Sequence, residues 1–426
     1  MKVGSNVLTG SGVAVLALVV AACSGTPSPA PPAPRVTATP SPAPSQSNAA
    51  TPTPSPASSQ SNAPTPTPSP SSVACATRPL PSSGALLYAL GQASGGSEAL
   101  SVDAGDFSGS STTGYSLSNS QLNGALVNQF DNSVALDAAG NVYVGDQPAN
   151  GTGQVQIYPP NVGCSGPIGT LAGSNTGLQW PQSIVVDSAG YIYVANAGAT
   201  AFYSQQYGEE SCPFNTITMF APISSGTHNV APVATIPDPA PTQACSQETS
   251  NDEMSLALDA SGRIYATSYE TYDVYVFPAR SGSTLSSTPA ATFVGGIGST
   301  TGIVEPTGVA LDAAGRVYVS MLLYGQTPNQ GGTPAVAVYA ANPQGTITSG
   351  PVTAIYGSQP MIGVGSLAVD RTGEVYVMAR YNSQTSVLEF PPISQGSSTE
   401  VPAGTLTGTA LFGAGTTVVP LALAAH

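Results

Sequence analysis

SVALDAAGNVYVGD (Ser133–Asp146) sets an aspartate and a glycine three residues apart between two apolar runs that alternate in period two. Alternation of that kind describes two strands with one buried face each, and the D-x-x-G between them describes a turn. The same phrase returns as SIVVDSAGYIYV at Ser183, SLALDASGRIYA at Ser255, GVALDAAGRVYV at Gly308 and SLAVDRTGEVYV at Ser366. Its aspartates, Asp137, Asp187, Asp259, Asp312 and Asp370, are 50, 72, 53 and 58 residues apart, which is the spacing of propeller blades with loops of variable length.

Each copy continues alike. A second alternating strand follows, ending in an aromatic and small or proline residues: VQIYPP at Val155, TITMFAP at Thr216, VYVFPA at Val274, VAVYAA at Val336 and VLEFPP at Val387. A shorter strand precedes the next copy: PIGTLAG at Pro167, PVATIP at Pro232, PAATFVG at Pro289, PVTAIYG at Pro351 and VPAGTLTG at Val401. With the strands of one unit called a, b, c and d, the unit is a four-stranded antiparallel meander. At the front of the repeat region, GALLYAL (Gly84) matches strand b and EALSVDAG (Glu98) matches strand c, with no strand a before them. PLALA (Pro420–Ala424) supplies the missing match at the other terminus. The expected fold is therefore an all-β, six-bladed propeller of four-stranded antiparallel blades, closed by a C-terminal strand so that no sheet edge is left open at the seam.

The repeated pattern, with Pro181 and Pro306 at its front in two copies, resembles the NHL-repeat superfamily of propellers over about Gly84 to His426. That resemblance implies the fold; it leaves function open, because the architecture hosts binding modules and unrelated enzymes. The chain departs from the family after strand b, where the frequent aspartate is kept as Asp146 but becomes Asn196, Ser268, Met321 and Ala379.

Two segments stand outside the propeller. Lys2, the apolar run Gly12 to Ala22 and then Cys23 in VAACSG read as a secretory signal over residues 1–22, and the small residues before Cys23 resemble a bacterial lipobox with Cys23 lipidated. An ordinary signal peptide with an incidental cysteine is the other reading. Residues 23–72 are rich in Pro, Ser, Thr and Ala, and SQSNAATPTPSPAS (Ser45–Ser58) is nearly copied by SQSNAPTPTPSPSS (Ser59–Ser72), a composition that buries no core. Fully extended, such a spacer reaches roughly 150 Å at about 3.1 Å per residue. The propeller domain is then 73–426.

The formal net charge of −14 comes from 22 acids against 8 bases, so nucleic acid is disfavoured as a partner for want of a Lys/Arg footprint. Cys75, Cys164, Cys212 and Cys245 form an even set in an exported chain. By topology, Cys75 and Cys164 fall on the face of the a-to-b and c-to-d loops, and Cys212 and Cys245 on the opposite face. The expected bridges are therefore Cys75–Cys164 and Cys212–Cys245, with free thiols as the alternative.

Propellers bind ligands mostly on the face of the b-to-c and d-to-a loops. That face is expected to receive Asp131, Asp146, Trp180, Asn196, Asp252, Glu253 and Glu305, whereas the five turn aspartates project from the other one. Gathered carboxylates suit a hard cation such as calcium; scattered ones only keep the chain soluble. His228 and His426 are the two histidines, and neither is placed for general base or triad chemistry at the channel mouth. No transition-metal cluster, P-loop or dinucleotide fingerprint appears, so no catalytic residue and no cofactor is assigned. The expectation is a monomeric, lipid-anchored protein of the cell envelope whose propeller binds an extracellular protein, peptide or glycan. The alternatives are a calcium-assisted hydrolase or lactonase on the same scaffold and a structural envelope protein without a ligand.

Overall fold

The computed structural model describes residues 86–92, 98–104, 115–118, 133–146, 152–160, 166–196, 216–237, 254–269, 271–296, 298–321, 336–355, 362–381, 384–394, 402–407 and 419–425, and no helix occurs among them. The molecule is an all-β propeller of antiparallel, four- to five-stranded blades. One sheet joins the two ends of the chain: β1 (Leu86–Gln92), β2 (Glu98–Ala104) and β3 (Tyr115–Ser118) come from the front. Blade I holds β4 (Ser133–Leu136), β5 (Val142–Asp146), β6 (Gln154–Tyr158) and β7 (Gly169–Ala172). Blade II holds β8 (Pro181–Val186), β9 (Ile192–Asn196) and β10 (Thr216–Phe220), then, past a short β11 (Gly226–His228), β12 (Ala234–Pro237). Blade III holds β13 (Leu256–Leu258), β14 (Ile264–Thr267), β15 (Val274–Phe277) and β16 (Ala291–Phe293). Blade IV holds β17 (Pro306–Leu311), β18 (Val317–Met321) and β19 (Val336–Tyr339), then β20 (Gly345–Ile347) and β21 (Thr353–Ile355). Blade V holds β22 (Ile362–Val369), β23 (Val375–Tyr381), β24 (Gln384–Phe390) and β25 (Gly404–Thr407). Finally β26 (Val419–Ala425) pairs antiparallel with β1, giving the order β26-β1-β2-β3 in the terminal sheet.

The inner strands neighbour one another in the order β4, β8, β13, β17, β22, β26, and β26 also touches β4. The blades are stacked side by side, so both faces of each middle strand are covered. In β9, Tyr193 and Ala195 pack toward blade III while Ile192 and Val194 pack toward blade I, and all four are essentially inaccessible. The alternation in the sequence implied one buried face for each of these strands; the stacking of the blades buries both. Between inner strands the seams are partly polar. Ser133 Oγ donates to the Pro181 carbonyl at 3.3 Å, and the amides of Leu256 and Val309 donate to Ser183 Oγ and Ser255 Oγ at 3.0 and 3.3 Å. The serine that opens the repeat thus satisfies backbone groups of the next blade's inner strand, which would otherwise be unpaired.

Two sheets carry a fifth strand that the expectation of four per blade did not include. β11 lies in the c-to-d connection of blade II but pairs in parallel with β7 of blade I; β20 does the same from blade IV against β16 of blade III. His228, placed by its sequence position on the a-to-b face, sits on β11 along the outer edge of blade I, beside Leu171. Cys23, Cys75, Cys164, Cys212 and Cys245 lie outside the described residues, as do Asp131, Asp252 and Glu253.

Candidate functional site

On the face of the a-to-b turns, all five aspartates make the same contacts. Asp137 Oδ1 accepts the amides of Ala139 and Asn141 at 2.8 and 2.9 Å, and its Oδ2 accepts Asn141 Nδ2 and the Tyr143 hydroxyl. Asp187, Asp259, Asp312 and Asp370 repeat the two amide bonds, and each takes the hydroxyl of the tyrosine six residues on. The glycine of each motif is left-handed, with φ between 78° and 91°, which glycine alone adopts without cost. Arginines complete three of these turns. Arg263 and Arg316 pair with their own Asp259 and Asp312 at 2.6 Å, whereas Arg280 comes from the next blade to Asp187 at 2.6 Å and stacks 3.9 Å over the Tyr191 ring. Burial pushes the Asp187 carboxyl up, but Arg280 and the amides of Tyr191 and Ala189 outweigh it and hold the carboxyl below its ordinary value; Ser261 and Arg263 do the same for Asp259. Burial, followed by the neighbouring carboxylate, drives the Tyr143 hydroxyl well above its usual range. Both carboxylate oxygens of every turn aspartate therefore have fixed partners, in the turn itself or, at Asp187, also from the next blade.

On the opposite face, the strand-b residues Asp146 and Asn196 are buried at 1% and 3% exposure. Asp146 accepts from Gln154 Nε2 at 3.0 Å. Asn196 accepts the Gln179 amide at 3.1 Å and donates to the Val194 carbonyl and Thr218 Oγ1. Met321, at the equivalent position, lies in the apolar layer between blades III and IV. Asp146 and Asn196 thus fasten strands and the incoming loop of their own blades, and no group of three or more His, Cys, Asp or Glu side chains that could hold a metal assembles among the described residues.

Trp180 and Glu305 stand differently. Each is partly exposed, each precedes the proline that opens an inner strand, and each has left-handed backbone, with φ of 45° and 49°. Non-glycine residues in that region carry strain of order 1–3 kcal/mol. The two positions are equivalent because their loops share a motif: Gly173 to Pro181 reads GSNTGLQWP, and Gly298 to Pro306 reads GSTTGIVEP. Thr176 and Thr301 are fully buried, and their hydroxyls donate to the carbonyls of Gly173 and Val294 at 2.8 and 2.7 Å while receiving the amides of Leu178 and Ile303. Leu178 and Ile303 plug the blade interfaces below. The motif occurs in the connections from blade I to II and from III to IV, so alignment of adjacent repeats does not expose it.

The loop above blade III is pinned to the second of these. Gly295 donates to Asp273 Oδ1 at 2.9 Å, and Gly296 to the Ile303 carbonyl at 2.9 Å. A Cβ on Gly295 would lie 1.7 Å from the Tyr272 carbonyl oxygen, so only glycine permits this approach.

No family model and no curated protein matches the chain. Among solved structures, it is similar to a protein of unknown function from Bacteroides caccae, at 11% identity over 80% of this chain and 99% of that one, with a TM-score of 0.44. It is also similar to the periplasmic gluconolactonase of Pseudomonas aeruginosa, at 16% identity over 72% and 78%, with a TM-score of 0.43. A gluconolactonase from Xanthomonas campestris is similar at 14% identity over 70% and 83%, with a TM-score of 0.36. Likeness at this level assigns neither substrate nor site residues to this chain.

Proposed function

We propose that the chain is an extracytoplasmic binding module, held to a membrane by a lipid on Cys23 through the 24–72 spacer. Its propeller has six blades, is closed by β26, and takes a protein, peptide or glycan on the face of the d-to-a and b-to-c loops. Closure is supported by the β26–β1 ladder and by the contacts of β26 with both β22 and β4. The Cys75–Cys164 and Cys212–Cys245 bridges belong to the same proposal. What carries the binding reading is the left-handed X-Pro pair at Trp180 and Glu305. Strain is retained where the surrounding structure enforces it, and here buried threonines, with Asn196 in the first loop, fix the backbones that carry two partly exposed side chains on one face.

Trp180 is the single tryptophan, so the site carries its own reporter. Titration with hits from glycan and peptide arrays is expected to change tryptophan emission saturably. The variant Trp180→Ala, followed by calorimetry, is expected to lose about tenfold or more in affinity. Absence of any hit, or affinity unchanged in both Trp180→Ala and Glu305→Ala, would remove the module. Calcium-dependent turnover of a lactone panel would replace it with the hydrolase reading.

A further inference from the structure

We propose that the corner where blades III and IV meet binds an organic ammonium cation through Tyr269, Tyr272 and Glu305. The inference rests on the binding-module reading and adds the chemistry of the ligand. Tyr269 and Tyr272 are both partly exposed on the b-to-c connection of blade III, their rings edge to face with centroids 6.4 Å apart and planes at 87°. Tyr272 is left-handed at φ 61°, and the connection is closed by Ser268 N to the Asp273 carbonyl and by Thr271 N to Ser268 Oγ.

Glu305 belongs to the same corner. Gly295 lies between the carbonyls of Tyr272 and Ile303, and Glu305 is two residues past Ile303, a backbone step of at most about 7 Å. Two partly exposed tyrosines and a glutamate carried on adjoining loops suit an ammonium group, which is attracted by the aromatic quadrupole and by the negative charge together.

The charge distribution favours a cation over a neutral sugar. Arg263, Arg280, Arg316 and Arg371, the arginines whose side chains are described, all lie at a-to-b or c-to-d connections. Described acids on the opposite face are Asp146, Asp273 and Glu305. Arg380, at the end of β23, is placed on that face in blade V, beyond blade IV from the Tyr269 loop. The described charges on that face of blades III and IV are Asp273 and Glu305, and a patch of one sign raises the local concentration of the opposite ion, the more so at low salt.

The test is calorimetric titration of the chain with tetramethylammonium and with spermidine, using glucose and acetate as neutral and anionic probes. Expected is saturable binding of the two cations that weakens with added salt. Tyr272→Gly, which keeps a left-handed residue comfortable, and Glu305→Gln are each expected to weaken it about tenfold, while Asp137→Ala, at a turn on the other face, leaves it unchanged. No saturable binding of either cation, equal binding of glucose, or full affinity in Tyr272→Gly overturns the inference. If the cations fail while an array ligand binds in a Trp180-dependent way, the ammonium site falls and the module stands; if nothing binds, both fall.

Discussion

Asp137 accepts four hydrogen bonds within seven residues of its own chain, which makes it a local organiser of one hairpin. Asp137→Ala is expected to cost about 2 kcal/mol in urea unfolding, since several donors lose a charged acceptor at a half-buried site. Asp370→Ala, at a residue 4% exposed, is expected to cost more, about 3 kcal/mol. Ligand affinity measured on the folded variants should be unaffected; a loss of binding in Asp137→Ala would mean that the turn reaches the site. A sharper case is Gly295→Ala, whose new methyl meets the Tyr272 carbonyl at 1.7 Å, while Gly282 has open space around its missing Cβ. The first should destabilise by about 3 kcal/mol as the Tyr272 loop is displaced, and Gly282→Ala by about 1 kcal/mol from its left-handed backbone alone. The turn aspartates were readable from sequence because the amides and the tyrosine hydroxyl that each accepts lie within six residues; only Arg280, which reaches Asp187 from the next blade, was not. Asp146 and Asn196 were not: a polar residue at a strand end in a repeat looks exposed until its partners, Gln154 for the one and Gln179 and Thr218 for the other, are in place.

At the scale of strands and loops, arginines tie neighbouring blades together. Arg263 Nη1 donates to the Pro343 carbonyl and Arg316 Nη1 to the Ile393 carbonyl, each in the next blade, and Arg280 reaches back to Asp187. Because Asp187 and Asp259 are held below their ordinary carboxylate value in the fold, they stabilise it fully at pH above that value. The contribution is lost as the pH falls through the depressed folded values, a window that opens below about pH 4. Arg280→Met is therefore expected to lose about 1 kcal/mol at pH 7 and to approach the parent's stability near pH 2, read from unfolding midpoints across that range. A constant difference at all pH values would show that packing against Tyr191, and not charge, is what Arg280 supplies. Strand identity was legible here from alternation and aromatic endings. The hand-over strands β11 and β20 were not, since three residues such as Gly226–His228 have no period of their own and pair with a different blade.

For the molecule as a whole, the decisive element is the last one. Truncation before Val419 would remove the partner of β1 and leave its ladder open from Leu87 to Gln92. Such a chain is expected to melt several degrees lower and to self-associate with concentration in sedimentation velocity, because an unpaired strand edge recruits another. An unchanged melt and a monomeric profile would show that β26 is dispensable and that the ring is held by its other blades. The match of PLALA to the inner strand made this pairing visible in the sequence, although its partner lies more than three hundred residues away.

The parallel strands β11 and β20 carry a last consequence. Each is covalently part of one blade and hydrogen-bonded to the rim of the blade before it. Asn229 then clasps Asn175 across the first pair, as Thr348 receives the Thr300 hydroxyl across the second. Neither partner can open without stripping the other. Amide hydrogen exchange should accordingly resolve blades I with II, and III with IV, as two cooperative doublets, each protected to a common free energy instead of blade by blade. The molecule would then breathe in steps of two.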